Sequence, residues 1–166
     1  MILVADTAAG LLRAEDGLAP CSIGRAGAVP QADKREGDGA TPLGEWPLLG
    51  VLLRPDRVSP LPLSLPWRWL RPDDGWSDDG RDPAYNRPVR HPHPFSAEHL
   101  WRDDGLYDAI VVLGHNMTPP VAGAGSAIFL HCWRDAAPTE GCVAVEKAAL
   151  LALLPRLRAG DSLLIR

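Results

Sequence analysis

The apolar positions of this chain fall into short runs separated by polar turns. Most runs have the length and period of strands. Residues 2–5 (ILVA), 10–13 (GLLR) and 19–23 (APCSI) predict three short strands in a meander, with DTAA and AEDG as the turns between them. Cys21 alternates with Ile23 on the third strand, which predicts a core position. From Gly24 to Trp46 the sequence GRAGAVPQADKREGDGATPLGEW shows no period and predicts a long loop or loose hairpin. A strand pattern resumes over 45–54 (EWPLLGVLLR).

Residues 55–108 carry prolines at 55, 60, 62, 66, 72, 83, 88, 92 and 94, which forbid long regular elements. Five of the six tryptophans and both tyrosines lie between Trp46 and Tyr107. This pattern predicts an irregular, aromatic-lined excursion. It would form either the wall of a cleft or a satellite cluster over one edge of the sheet. Regular patterning returns at 109–116 (AIVVLGHN) and 126–132 (SAIFLHC), continuous apolar runs that predict strands buried on both faces. VEKAALLALLPRLR, 145–158, predicts the one helix, with Leu150, Leu151, Leu153, Leu154 and Leu157 on its core face and Pro155 ending or kinking it. GDSLLIR, 160–166, predicts a turn and a closing strand. No repeat or linker divides the chain, so one domain over 1–166 is expected.

Composition agrees with a loop-rich β protein. Of 166 residues, 46% are hydrophobic, which excludes a disordered chain, and 17 are proline, roughly twice the usual share. The net charge of −4 and the lack of a basic run exclude nucleic acid and anionic membrane as main partners. No stretch approaches the roughly 20 apolar residues of a membrane span. The start, MILVADTAAGLLRAEDG, has no positive leader and only a short apolar run broken by Asp6, which does not read as a signal peptide. The expectation is a cytoplasmic protein; a periplasmic one is the alternative, if a leader has been trimmed away. Three cysteines, Cys21, Cys132 and Cys142, leave at least one thiol free.

The candidate chemistry lies in PTEGCVAV. Cys142 is placed ahead of the predicted helix, whose N-terminal dipole would favour a thiolate. Gly141 permits a sharp bend, Thr139 supplies a turn-closing hydroxyl, and the amides of 140–142 would face an oxyanion. His131, eleven positions upstream at the end of a strand, is the candidate base. The alternative is a buried cysteine acting as a small hydrophobe and a histidine held in structural hydrogen bonds.

GSAIFLHCWRDAAPTEGCVAV resembles the signature of the L,D-transpeptidase (YkuD-type) catalytic domain. That signature runs from a histidine, through a variable loop, to Ser/Thr-X-Gly-Cys, here Thr139-Glu140-Gly141-Cys142. KREGDGATPLGEW, 34–46, resembles the family's upstream turn leading to Thr-Pro-X-Gly, and DPAYNRPV, 82–89, and LGHN, 113–116, resemble marks of one branch. Three features depart from the pattern. Glu140 replaces the usual histidine, Ala144 replaces a common polar residue, and the His-to-Cys spacing is short.

The resemblance implies a mainly β fold, sandwich-like, with mixed sheets and one helix in the C-terminal half. It implies action on peptidoglycan stem peptides at the bond between diaminopimelate and D-alanine. Cys142 would attack, His131 would transfer the proton, and the carbonyl of Cys132 would orient His131. Water as acceptor would make the chain an L,D-carboxypeptidase that trims tetrapeptides in muropeptide recycling, and the expected cytoplasmic location favours this. An amine acceptor would make it a cross-linking L,D-transpeptidase. Glu140 and Ala144 motivate a third possibility, an inactive peptidoglycan-binding module. With a helix terminus and His131 beside it, Cys142 is expected to react with alkylating agents below the pH of an ordinary thiol.

Other residues complete the expected site. Asn116, His115, Tyr85, Asn86 and Arg25 are candidates for substrate contact, Arg25 through a substrate carboxylate, with a structural turn the equal alternative for Tyr85 and Asn86. Lys34 and Arg35 could meet a substrate carboxylate in the same way, but they read first as a solvated basic turn. His91, His93, His99 and His115 raise a metal reading, but HPHP is not a zinc spacing, and DDGWSDDGRD, 73–82, does not fit a calcium loop. No metal or cofactor is expected.

Overall fold

A computed structural model describes residues 1–15 and 17–166. The strands are β1 (Ile2–Asp6), β2 (Leu11–Ala14), β3 (Gly17–Ser22), β4 (Ala28–Val29), β5 (Thr41–Pro42), β6 (Gly44–Leu53), β7 (Trp67–Trp69), β8 (Asp74–Ser77), β9 (Pro88–Arg90), β10 (Ala97–His99), β11 (Ala109–Leu113), β12 (Phe129–Cys132), β13 (Val143–Val145) and β14 (Ser162–Ile165), with one helix, α1 (Lys147–Leu153). The predicted meander is present as β1–β3. Its second turn includes Asp16, which lies outside the described residues.

The main sheet has the order β11-β12-β13-β3-β2-β1-β14-β6-β7, and β6 also pairs with β11. The sheet therefore closes on itself, because the long strand β6 serves both halves. Residues 44–47 pair with β14, and residues 48–53 turn to pair with β11. A sandwich-like body of mixed sheets results, with parallel pairs β1/β14, β12/β13 and β6/β7 among antiparallel ones.

The strands of 109–113 and 129–132 are covered on both faces, which is why their sequences read as unbroken apolar runs. Alternation divides the side chains between two clusters. Ala109, Val111, Leu113, Leu130, Cys132, Val143 and Val145 join the main core, where α1 packs on β11 and β12 through Leu150 and Leu153. Ile110, Val112, Phe129 and Cys142 face a second cluster with Leu70, Trp76, Leu100 and Tyr107. The proline-rich excursion supplies that second cover. Its regular parts are β7, which joins the edge of the main sheet, and a three-stranded sheet, β10-β8-β9, with Trp76 edge-on to Phe129 at 5.1 Å. The excursion thus covers the sheet and also contributes a cleft wall.

Several boundaries differ from the sequence expectation. The helix spans 147–153 and not 145–158, because Val145 is held in β13 by the ladder to β12 and β3. At Leu154 it tightens into a 3-10 turn containing Pro155, the break that proline predicts. The strands expected over 109–116 and 126–132 are shorter. Asn116 and Ala127 adopt positive φ, +50° and +53°, which no strand accommodates. The segment 24–46 is no loose loop. It holds a 3-10 turn at Gln31–Asp33 and the β4/β5 pair, and it folds under the cysteine turn.

Candidate active site

Strand alternation builds the pair. His131 and Ala144 are opposed across the parallel β12/β13 ladder, and Phe129 and Cys142 precede them by two positions. His131 and Cys142 therefore point to the same face, while Cys132 points to the other. Both His131 and Cys142 line one cleft of about 480 Å³. A disulfide between Cys132 and Cys142 has no path, because their thiols belong to opposite sides of the sheet.

The turn bearing Cys142 is held from two distant segments. Thr139 bridges to Gly24: its amide donates to the Ile23 carbonyl at 2.9 Å, and its carbonyl accepts from the Arg25 amide at 2.8 Å. The Thr139 hydroxyl donates to the Cys142 carbonyl at 2.7 Å and accepts from the Gly141 amide at 3.1 Å. Thr41, fully buried, accepts from the Gly24 amide at 2.8 Å and donates to the same Cys142 carbonyl at 3.4 Å. Gly141 has φ +140°, and a Cβ there would lie 2.8 Å from the Ala40 carbonyl, so the turn requires glycine. Of the three amides considered for an oxyanion, that of Gly141 is taken by Thr139, leaving those of Glu140 and Cys142.

The electrostatics differ from expectation. Cys142 is not at a helix N-terminus: β13 intervenes, and α1 begins only at Lys147. Its thiol donates to the Ala127 carbonyl at 3.2 Å and accepts from the Phe129 amide at 3.3 Å. Burial, and then the charge of Glu98, push its pKa up to about 12. The expected low-pKa thiol is thus overturned for the resting protein. Burial likewise lowers His131 to about 4, against the pull of the Cys132 and Leu106 carbonyls that face its ring. The resting pair is therefore a neutral thiol and a neutral imidazole. His131 Nδ1 lies 2.6 Å from the Cys132 carbonyl, so Nδ1 carries the hydrogen and Nε2 is the basic nitrogen. Tyr107 packs edge-on against the imidazole at 5.1 Å.

The remaining candidates are placed as follows. Arg25 is paired with Glu140 at 2.9 Å in an exposed ion pair, so its guanidinium is engaged at the rim. Asn86, Tyr85, His115 and Asn116 lie behind the cleft wall and do not line it. Asn86 Oδ1 accepts from Trp76 Nε1 at 2.9 Å and from the Ala127 amide at 3.1 Å, while its Nδ2 donates to the carbonyls of His115 and Asn116. It thereby positions the Ala127 carbonyl that receives the Cys142 thiol. Tyr85 donates to Glu36 at 2.5 Å. Asn116 caps its own loop through Val121 and Gly125. His115 is buried edge-on to Trp46 at 4.7 Å.

Lys34, expected in a solvated turn, is 2% exposed and lines the cleft, with its ammonium held by Asp38 and the Arg35 carbonyl. Sequence reasoning missed Asp78, Glu98, Arg102 and Tyr107, which line the same cleft from the excursion. The only signal there was its concentration of aromatic residues. Among the described residues no group of three or more His, Cys, Asp or Glu side chains is placed to hold a metal ion. Among the described residues no helix is long and apolar enough to cross a membrane.

No curated protein matches the chain significantly. Two solved structures cover 99% of it at a TM-score of 0.44: L,D-transpeptidase 1 of Mycobacterium tuberculosis, at 15% identity, and an L,D-transpeptidase from Mycobacterium smegmatis, at 12%. The chain spans 60% and 58% of their respective lengths. The family model for the YkuD L,D-transpeptidase catalytic domain matches residues 1–165, and on that match this chain belongs to the YkuD family of L,D-transpeptidase catalytic domains.

Proposed function

We propose that the chain is a cysteine-dependent acyl-transfer enzyme acting on peptidoglycan stem peptides, and that it works as an L,D-carboxypeptidase. The observation that supports the acyl-transfer part of this reading is the placement of Cys142 and His131 on one face of β12/β13 in a single cleft, with Nδ1 of His131 committed to the Cys132 carbonyl. His131 Nε2 takes the thiol proton as sulfur attacks the carbonyl carbon. The amides of Glu140 and Cys142 receive the oxyanion. The imidazolium, stabilised by the carbonyls facing its ring, then protonates the leaving D-alanine amine. A water molecule, deprotonated by the same nitrogen, cleaves the thioester and returns the thiol.

Mixed charge in the cleft, with Lys34 and Arg102 beside Asp78 and Glu98, suits a zwitterionic peptide end. Water, at about 55 M, captures the acyl-enzyme unless an amine is positioned at high effective molarity. The test is mass analysis of tetrapeptides ending in diaminopimelyl-D-alanine. Tripeptide and free D-alanine are expected as the main products. Cross-linked dimers in their place would support the transpeptidase, and untouched tetrapeptide would sink the acyl-transfer reading.

A further inference from the structure

The cleft wall opposite Cys142 carries carboxyl groups that, among the described residues, form no salt bridge. Glu98 sits on β10, opposed to Trp76 of β8, and so faces the second cluster in which Cys142 lies. Its Oε1 accepts from the Tyr107 hydroxyl at 2.5 Å, and the Tyr107 ring in turn packs on His131. Asp78, in the same wall, has its Oδ1 buried without a hydrogen-bond partner. The Glu36 carboxylate accepts from the Tyr85 hydroxyl at 2.5 Å. The nearby cations are already engaged, Lys34 by Asp38 and Arg102 by Asp104. Among the described residues, neither Glu98, Asp78 nor Glu36 forms a salt bridge.

We propose that Glu98, with Asp78 beside it, is the specificity-determining group that binds an ammonium on the acyl donor, and that this binding releases Cys142 for ionisation. The proposal rests on the acyl-transfer reading above and names which end of the ligand this wall recognises. Two physical facts support it. A partly buried carboxyl lacking a cation gains most from a ligand that brings one. A carboxylate facing a thiol also opposes formation of the thiolate, and burial, with a smaller push from the charges of Asp78 and Glu36, holds the Glu98 pKa above the usual carboxylate value against the Tyr107 hydrogen bond and the more distant charge of Arg102. An ammonium seated against Glu98 cancels that opposition at the moment the thiol must lose its proton. Recognition of the donor and activation of the nucleophile thus become one event, with no covalent step beyond acyl transfer itself.

The experiment compares the full-length protein with Glu98→Gln on two substrates and one alkylating agent. The substrates are a tetrapeptide ending in a diaminoacyl-D-alanine unit and the same peptide with its side-chain amine acetylated. Acetylation is expected to cost the unsubstituted protein about tenfold or more in kcat/KM, partly through kcat, and to cost Glu98→Gln about threefold or less. In the absence of peptide, Cys142 of Glu98→Gln should react with iodoacetamide at lower pH than in the unsubstituted protein. Equal discrimination in the two proteins, or indifference of the unsubstituted protein to acetylation, overturns the proposal, as does an unchanged alkylation profile. Should neither peptide be turned over, the acyl-transfer reading fails by itself, while the alkylation profiles still decide whether Glu98 restrains Cys142. The acetylated peptide tests the unsubstituted protein alone, so a poorly folding variant does not protect the proposal.

Discussion

His131 Nδ1 lies 2.6 Å from the carbonyl oxygen of Cys132, the next residue in the chain. The contact uses only the backbone of Cys132, whose thiol is buried on the other side of the sheet. The two residues should therefore respond differently to substitution. His131→Ala is expected to lower turnover by about a hundred- to ten-thousand-fold. Cys132→Ala is expected to leave turnover within about threefold while costing about 1 kcal/mol in stability, because it removes a small buried side chain. Steady-state kinetics beside urea melts check both. A large activity loss in a stable Cys132→Ala protein would contradict the orienting role given to the carbonyl.

Cys142 should behave as a sluggish thiol in the free protein. Burial places its pKa at about 12, so the thiolate fraction, and with it the alkylation rate, is still climbing at pH 9 to 10, above the ordinary thiol range of about 8.5. The pH profile of iodoacetamide labelling at Cys142, read by peptide mass, checks this. A plateau reached below pH 8 would mean that an ion pair with His131 already exists at rest.

Asn86 ties Trp76, Ala127, His115 and Asn116 together through one side-chain amide. Its φ of +55° also favours asparagine over most residues. Asn86→Ala leaves buried donors and acceptors unpaired and is expected to destabilise the protein by about 2–4 kcal/mol. Turnover should fall as well, since the Ala127 carbonyl shifts from beneath the Cys142 thiol. A change under about 0.5 kcal/mol in denaturant melts would show that the network is dispensable.

His115 links stability to acid. Burial, together with the charge of Lys34, lowers its pKa from 6.5 to about 4, so it is neutral in the folded protein where the unfolded chain is protonated. The stabilisation is present above pH 6.5 and is lost as pH falls to about 4. His115→Gln should flatten the fall in stability across that window by at most about 3 kcal/mol. Melts at pH 4, 5, 6 and 7 check the slope. An unchanged slope would assign the acid response to other groups, His131 first among them.

Legibility in the sequence followed locality. The short apolar runs ILVA and AIVVL, the prolines of the excursion and the leucine face of the helix report local sequence preference, and each appears as a recognisable element. His131 and Cys142 were legible because they sit within eleven positions of one another on neighbouring strands, where alternation alone sets their common face. The helix boundary misled, because ladder pairing of Val145 outweighed the helix pattern around it.

Charge and proton state were decided only by the tertiary structure. Lys34 is buried because the segment before Thr41 folds under the cysteine turn. Glu98 faces Cys142 because β10 pairs with β8 over the second cluster. Neither approach can be read from spacing, since the residues that meet are dozens of positions apart in sequence. The ionisation of a thiol depends on solvent exclusion and on charges brought by such segments. A motif written in the sequence therefore names the candidate nucleophile, while the packed fold sets the proton state of its thiol.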